Sequence, residues 1–371
     1  MSVTEEIKHL KLGDITSLSQ GLAINSKTKH LLKNKGIPLL RIKDLINNQV
    51  EQYIDTENAP GKCLASKSDI IYTRTGQVGL VFNDREGVIH NNCFKVIPDE
   101  TIVNKKFLYW FLFQKKVRDY AINIASGSVQ KDLNHSSFAS IPIKLPSLKH
   151  QEKAAKILDK LKRKIELNQK MNETLEEIAK TLFKSWFIDF DPVRAKAEGR
   201  PTGLSKEISD LFPDSFEDSE LGKIPIGWEI SNIGEISEVI DCLHSKKPAR
   251  EDHGYLLLQL NNITDNGILD ISDKYLITNN DYEKWTSRME TKQGDCVITN
   301  VGRVGAVSQI PREVKAALGR NMTAIRAKDV FPFPTFILEY LLSTLGRNEI
   351  RLNIDVGTIL NALNVKSIPK L

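Results

Sequence analysis

The sequence predicts an α+β chain: two similar α/β domains separated by a long helix of coiled-coil type. Three observations predict it. The chain repeats itself, with copies at about 10–145 and 230–371. Each copy mixes short β-type runs with an aromatic-rich helical stretch. The segment between the copies carries apolar residues at heptad spacing, with no Gly or Pro inside.

The repeat is read from four matches in the same order. Asp69-Ile-Ile-Tyr-Thr-Arg-Thr-Gly-Gln-Val-Gly79 answers Asp295-Cys-Val-Ile-Thr-Asn-Val-Gly-Arg-Val-Gly305. Asn92 and Phe107-Leu108 answer Asn321 and Phe336-Ile337. Gly127 to Asn134 answers Gly357 to Asn364, and Ser140-Ile-Pro142 answers Ser367-Ile-Pro369. Within each copy, β-type runs come first, Ile37 to Ile42 and Tyr255 to Leu260. A strand follows, Asp69 to Thr73 or Asp295 to Thr299, ending in a Gly-x-x-Gly turn where glycine allows positive φ. Next comes a helix, Lys106 to Ala121 or Thr335 to Leu345.

Between the copies, Ser147 is placed to cap a helix. From Ala154 a 4-3 spacing runs through Leu158, Leu161, Ile165, Asn168, Asn172, Leu175, Ala179, Leu182 and Trp186. A helix of about 40 residues would be roughly 60 Å long, and its seam needs a partner. Asn168 and Asn172 either fix the register of that partner or lie at the wet edge of the seam. Phe187 to Gly199 leads into an acidic stretch rich in Pro and Gly. The predicted domains are 1–146, 147–199 for the helix and the motif after it, 200–229 for the acidic linker leading into the second copy, and 230–371.

Composition narrows the function classes. The chain has 371 residues, 40% of them hydrophobic and 27% charged, as in ordinary folded proteins. No run of ~18 apolar residues occurs, so no membrane span is expected, and Met1 to Leu12 holds no secretory core. These features predict a cytoplasmic protein with reduced cysteines. Cys63, Cys93, Cys242 and Cys296 have no CxxC spacing and no nearby His pair, so no metal site is expected. The net charge is +5, with the basic excess before residue 187 and an acidic segment at 187–229. A basic front half suits a polyanion. The sequence lacks a Walker loop, a Gly-x-Gly-x-x-Gly turn, a His-x-x-x-His pair and any local nucleophile signature, so no catalytic residue is predicted.

Leu182-Phe-Lys-Ser-Trp-Phe-Ile-Asp-Phe-Asp-Pro-Val-Arg-Ala-Lys-Ala-Glu-Gly199 resembles the central conserved region of the specificity (S) subunits of type I restriction–modification systems. Leu221-Gly-Lys-Ile-Pro-Ile-Gly-Trp228, Ile141 to Pro146 with Gln151-Glu152, and the two Gly-x-x-Gly turns resemble that family too. The resemblance implies two target recognition domains on double-stranded DNA, each reading one half of a split site, in a system of bacterial defence. It implies conserved helices that set the spacer and hold modification (M) subunits, which use S-adenosylmethionine to methylate adenine. Restriction (R) subunits with ATP and Mg would join them in a prokaryotic cytoplasm. By resemblance this chain holds no cofactor of its own.

Base edges are read best by Arg, Lys, Asn and Gln, with Ser or Thr helping. The candidates in the first copy are Arg41, Lys43, Arg74, Thr75, Gln77, Gln130 and Lys131. In the second copy they are Gln259, Asn261, Asn262, Asn300, Arg303, Arg320 and Asn321. Lys62, Lys67, Lys246 and Lys247 suit phosphates. Leu158, Leu161, Ile165, Leu175, Leu182, Trp186, Phe187 and Phe190 are the expected partner-binding residues. Family members usually carry a second long helix after the second target domain, whereas this sequence stops at Ile368-Pro-Lys-Leu371. The expectation is therefore a shortened form whose seam is covered by an M subunit or a second copy. The alternative function is a sequestering partner of M subunits.

Overall fold

The computed structural model describes residues 7–355 and 361–371, as two compact units, 1–170 and 171–371. The repeat segment at 357–360 lies outside the described residues.

In the first unit, β1 (Lys8–Lys11) and β2 (Thr16–Gln20) precede β3 (Ile70–Thr73), β4 (Val81–Phe82) and β5 (Cys93–Pro98). The main sheet has the order β2-β5-β3-β4 and is antiparallel throughout. Two helices follow, α1 (Lys105–Leu112) and α2 (Lys115–Ile124). Strand β6 (Pro142–Leu145) then pairs with β1. Tyr72, Phe94, Leu108, Leu112 and Phe138 form the core between sheet and helices, and each such buried side chain contributes roughly 1.5–3 kcal/mol.

The long helix α3 (Leu148–Phe183) begins just after Ser147, whose carbonyl accepts the Gln151 N–H. Its first turns are fastened to the first unit. Buried Gln151 accepts the Asn104 N–H at 2.8 Å and donates to the Pro146 and Ile102 carbonyls at 2.9 and 3.2 Å. Asp159 accepts from Trp110 Nε1 at 2.8 Å and from Lys106 Nζ at 2.6 Å.

In the second unit the strands are β7 (Ser237–Asp241), β8 (Cys296–Thr299), β9 (Val307–Gln309) and β10 (Met322–Ala327). Their order, β7-β10-β8-β9, is that of the first unit, again antiparallel. Helices α4 (Pro334–Leu342) and α5 (Thr344–Leu352) stand where α1 and α2 stand. A second sheet, of five strands in the first unit and three in the second, keeps one parallel pair in common: Leu39 faces Val88 as Leu257 faces Ala317.

Three local expectations are corrected. Each predicted single helix is a pair. The breaks fall at Phe113-Gln114 and at Ser343, whose hydroxyl accepts the Gly346 N–H and so starts a new helix. The central helix does not run regularly to Trp186. It widens into a π turn over Lys184–Ile188, and Phe190 then takes a left-handed φ of 56° ahead of a short helix, Asp191–Ala197. The acidic stretch contains a hairpin, Phe216–Ser219 against Gly222–Pro225.

Candidate nucleic-acid interface

The turn after β3 and the turn after β8 are built from the same bonds. Thr73 Oγ1 donates to the Gln77 carbonyl and accepts the Leu80 N–H at 2.9 Å. Thr299 Oγ1 donates to the Arg303 carbonyl and accepts the Ala306 N–H at 3.0 Å. Gly76 and Gly79 have φ of 78° and 87°, and Gly302 and Gly305 have 86° and 80°, a region that side chains disfavour. The turn is then tied to the closing segment. The Leu133 N–H donates to the Arg74 carbonyl at 2.9 Å, and the Leu363 N–H to the Asn300 carbonyl at 2.8 Å. From the other side, the Arg74 N–H donates to the Asn92 carbonyl and the Asn300 N–H to the Asn321 carbonyl, both at 2.8 Å.

These bonds reassign several sequence candidates. Arg74 pairs with Asp132 at 2.6 Å and also donates to the Leu133 carbonyl. Thr75 Oγ1 donates to Asp132 at 2.6 Å. Asn300, only 5% exposed, donates to the Leu363 carbonyl at 3.1 Å and accepts from Thr323 at 2.9 Å. Asn262, 1% exposed, accepts the Gln259 N–H at 2.7 Å and donates to the Asp270 carbonyl at 2.7 Å. The Gln259 side chain donates to the Leu258 carbonyl at 2.9 Å. Arg41 grips Asp44 with two nitrogens at 2.7 and 2.8 Å and also reaches Glu51 and Gln52. All six spend their polar atoms holding loops, because a buried donor or acceptor left unpaired costs about 1–3 kcal/mol.

The remaining candidates face outward. Gln77, Gln130 and Lys131 are exposed and gather at Gly76, whose N–H donates to the Lys131 carbonyl at 2.9 Å. Asn261 and Arg320 are exposed, and Asn321 is half-buried with a left-handed φ of 64°. Lys43 is exposed but paired with Glu51. Arg303 lies between these groups. It donates to the Ile263 carbonyl at 2.7 Å and pairs with Asp265, yet its side chain is 42% exposed. Lys62, Lys67, Lys246 and Lys247 are exposed, and Lys247 lies 3.9 Å over the Tyr275 ring.

Sequence reasoning missed the acidic partners Asp132 and Asp265. It also missed Arg118 and Arg347, which occupy matching places beside Gly79 and Gly305. Each lies 11 residues after the matched phenylalanine, Phe107 or Phe336, and that was the available signal. Burial lowers the Arg347 pKa, against the pull of Asp265. Burial, then the Arg41 charge, holds the His90 imidazole below its usual range. Asp241, Cys242 and His244 have ligand-type atoms within 4.8 Å of one another, a grouping the sequence reading did not foresee. The Asp241 carboxylate is already shared by His244 at 2.8 Å and Arg288 at 3.5 Å, and the guanidinium repels a cation there.

The expected partner-binding residues divide. On α3, Leu158, Leu161, Ile165, Leu175 and Leu182, together with Ile157, Leu167, Met171 and Ile178, are 37–60% exposed. Trp186, Phe187 and Phe190 are instead half-buried in an aromatic cluster of the second unit with Phe212, Phe216 and Trp228. They pack on one another and on that unit while keeping part of their surface exposed. Among the described residues no helix is long and apolar enough to cross a membrane.

Residues 4–177 match the family described as "Type I restriction modification DNA specificity domain". The chain is 34% identical over 299 residues to the type I restriction enzyme HindI specificity subunit of Haemophilus influenzae, covering 67% of this chain and 63% of that relative. The chain belongs to the family of type I restriction–modification specificity subunits. The MjaIX specificity subunit of Methanocaldococcus jannaschii is 31% identical over 251 residues, covering 65% of this chain and 53% of that one. The match thus spans less than two thirds of either relative's length. The crystal structure of a type I S subunit from M. genitalium shares the fold, with a TM-score of 0.51 at 15% identity over 100% of this chain and 85% of that one. The doubled sheet order and the doubled turn show that this chain carries two like domains.

Proposed function

We propose that this chain is the DNA-addressing subunit of a type I restriction–modification complex. Each unit reads one half of a bipartite site, and the chain directs adenine-methylating M subunits and R subunits to it. S-adenosylmethionine, ATP and Mg belong to those other subunits. The observation that carries this reading is the same turn, built bond for bond after β3 and after β8 in a member of the specificity family. Such a turn is a rigid mount, which lets neighbouring side chains meet base edges in a fixed geometry. Gln77, Gln130 and Lys131 are the readers in the first copy. Asn261, Arg320, Asn321 and, with Asp265 displaced, Arg303 are those in the second. The test is to sequence modified bases in a host expressing this chain with its M partner. A single adenine-methylated motif in two unlike parts, with a fixed spacer, is expected. Unmodified DNA in the presence of an assembled complex would refute the reading.

A second reading rests on the apolar stripe of α3, which is exposed along its length. Such a stripe seeks another helix, from an M subunit or from a second copy of the chain. If the complex with M forms but leaves DNA unmethylated, the chain sequesters M subunits instead of addressing them.

A further inference from the structure

The repeat makes each unit a control for the other. Position 303 in the second turn answers position 77 in the first. Gln77 is neutral and exposed, and its side chain has no hydrogen-bond partner among the described residues. Arg303 is charged and held. Its Nη1 donates to the Ile263 carbonyl at 2.7 Å, and its Nη2 pairs with the Asp265 carboxylate.

The two acceptors differ in freedom. Ile263 is fully buried, and the loop is pinned on both sides of Asp265. Ser308 Oγ accepts the Thr264 N–H at 2.9 Å and donates to the Ile268 carbonyl at 2.8 Å. Arg347 Nη2 donates to the Asp265 carbonyl at 3.1 Å. The Asp265 carboxylate reaches out of that frame. Its side chain is 70% exposed, and that of Arg303 is 42% exposed. The pair Arg326–Asp295 in the same unit is the structural contrast, at 22% and 3%. An exposed pair contributes little to stability, so the Arg303–Asp265 pair opens at little cost.

We propose that Arg303 reads a guanine and that Asp265 sets the strictness of that reading by masking Arg303 on every other base. The inference rests on the DNA-addressing role proposed above. In the major groove guanine presents two adjacent acceptors, O6 and N7, to an arginine fork, and no other base does. With the carboxylate swung away, Nη1 keeps one hydrogen on the Ile263 carbonyl, which holds the guanidinium in place. Its other hydrogen and Nη2 turn to the guanine. Away from a guanine, the Asp265 charge competes with phosphates for the fork and repels them. Gln77 carries no charge, so the first unit needs no such mask.

The test uses the complex of the full chain with its M partner. Competition binding compares duplexes carrying the methylated motif, the motif with each G·C pair replaced in turn by A·T, and an unrelated sequence. Arg303→Ala should lower discrimination at one G·C pair about tenfold and leave the other half-site as it was. Asp265→Asn keeps the shape of an exposed side chain, so the melting curve should not move. It should tighten binding to the unrelated duplex roughly three- to tenfold and steepen the salt dependence by about one phosphate contact. It should also cut discrimination at the same G·C pair by about threefold. In the Arg303→Ala background, Asp265→Asn should no longer change that discrimination. Asp265→Asn that alters neither the unrelated affinity nor the discrimination would overturn the proposal. So would Arg303→Ala with discrimination intact at every G·C pair. A parent complex that prefers no duplex would refute the DNA-addressing role, and the proposal with it, before any variant is made.

Discussion

Arg74 and Asp132 form an ion pair at 2.6 Å that joins the turn after β3 to the segment closing the first copy. Position 300 does the same work in the second copy with a neutral amide, Asn300 to the Leu363 carbonyl. On the proposed function, a clamp and a reader stand three residues apart, at Arg74 and Gln77. They should respond differently to mutation. Arg74→Ala should cost about 1–2 kcal/mol of stability, the lower part of the range because Asp132 is partly solvated. Gln77→Ala should leave stability within about 0.5 kcal/mol and change discrimination at one half-site by ~1–3 kcal/mol. Thermal unfolding and DNA competition on both variants separate the roles, and a stable Arg74→Ala chain with altered specificity would reverse the assignment.

Asp159 holds α3 to α1. Burial pushes its pKa up, but Lys106 and the Trp110 N–H outweigh burial and hold it below the usual carboxylate range. A depressed carboxylate stabilises the fold above its unfolded pKa, near 3.9. That contribution is lost as pH falls through the folded value. Asp159→Asn should therefore cost about 1 kcal/mol at pH 7, discounted for the exposed Lys106. Its melting curve should converge on that of the parent once the pH falls below the depressed folded value. A constant gap across pH would mean that the charge of Asp159 contributes nothing.

Glu339 on α4 is the opposite case. Burial first, then the neighbouring Glu176, raises its pKa, with Lys180 opposing. The stability it contributes when protonated is fully present below its unfolded pKa and is lost as pH rises through the folded value. Glu339→Gln should raise the melting temperature at pH 7 by roughly 2–4 °C and have no effect at pH 4. Parallel melting-temperature profiles for parent and variant would contradict this.

Phe183 should matter to the second unit alone. Removing its buried ring with Phe183→Ala should cost about 3 kcal/mol. Amide exchange should speed up across Pro334–Leu342 and stay unchanged across Lys105–Leu112. Equal acceleration in both helices would show that the ring's role is not local.

The repeat was legible in the sequence because its shared bonds need particular residue types. Thr73 and Thr299 must carry a hydroxyl, and the positive-φ positions want glycine. The helix breaks were not legible, since apolar spacing continues past Phe113 and a single Ser343 makes the second cap. Which candidates hold loops and which face outward was only partly legible. Arg74, Thr75, Asn262 and Asn300 are the right types for base edges, but their partners Asp132, Asp270 and Leu363 lie 8 to 63 residues away. One sequence does not reveal such pairings. For the same reason the packing of Trp186, Phe187 and Phe190 with Phe212 and Trp228 was not legible.

The most direct measurement exchanges the three outward side chains of one unit. Gln77, Gln130 and Lys131 are replaced together by Ala, the chain is expressed with its M partner, and methylated adenines are mapped across the host genome. Two independent reading units predict that one half of the motif relaxes while the other half and the spacer stay as they were. Loss of both halves with the complex intact, or a motif unchanged throughout, would contradict the account.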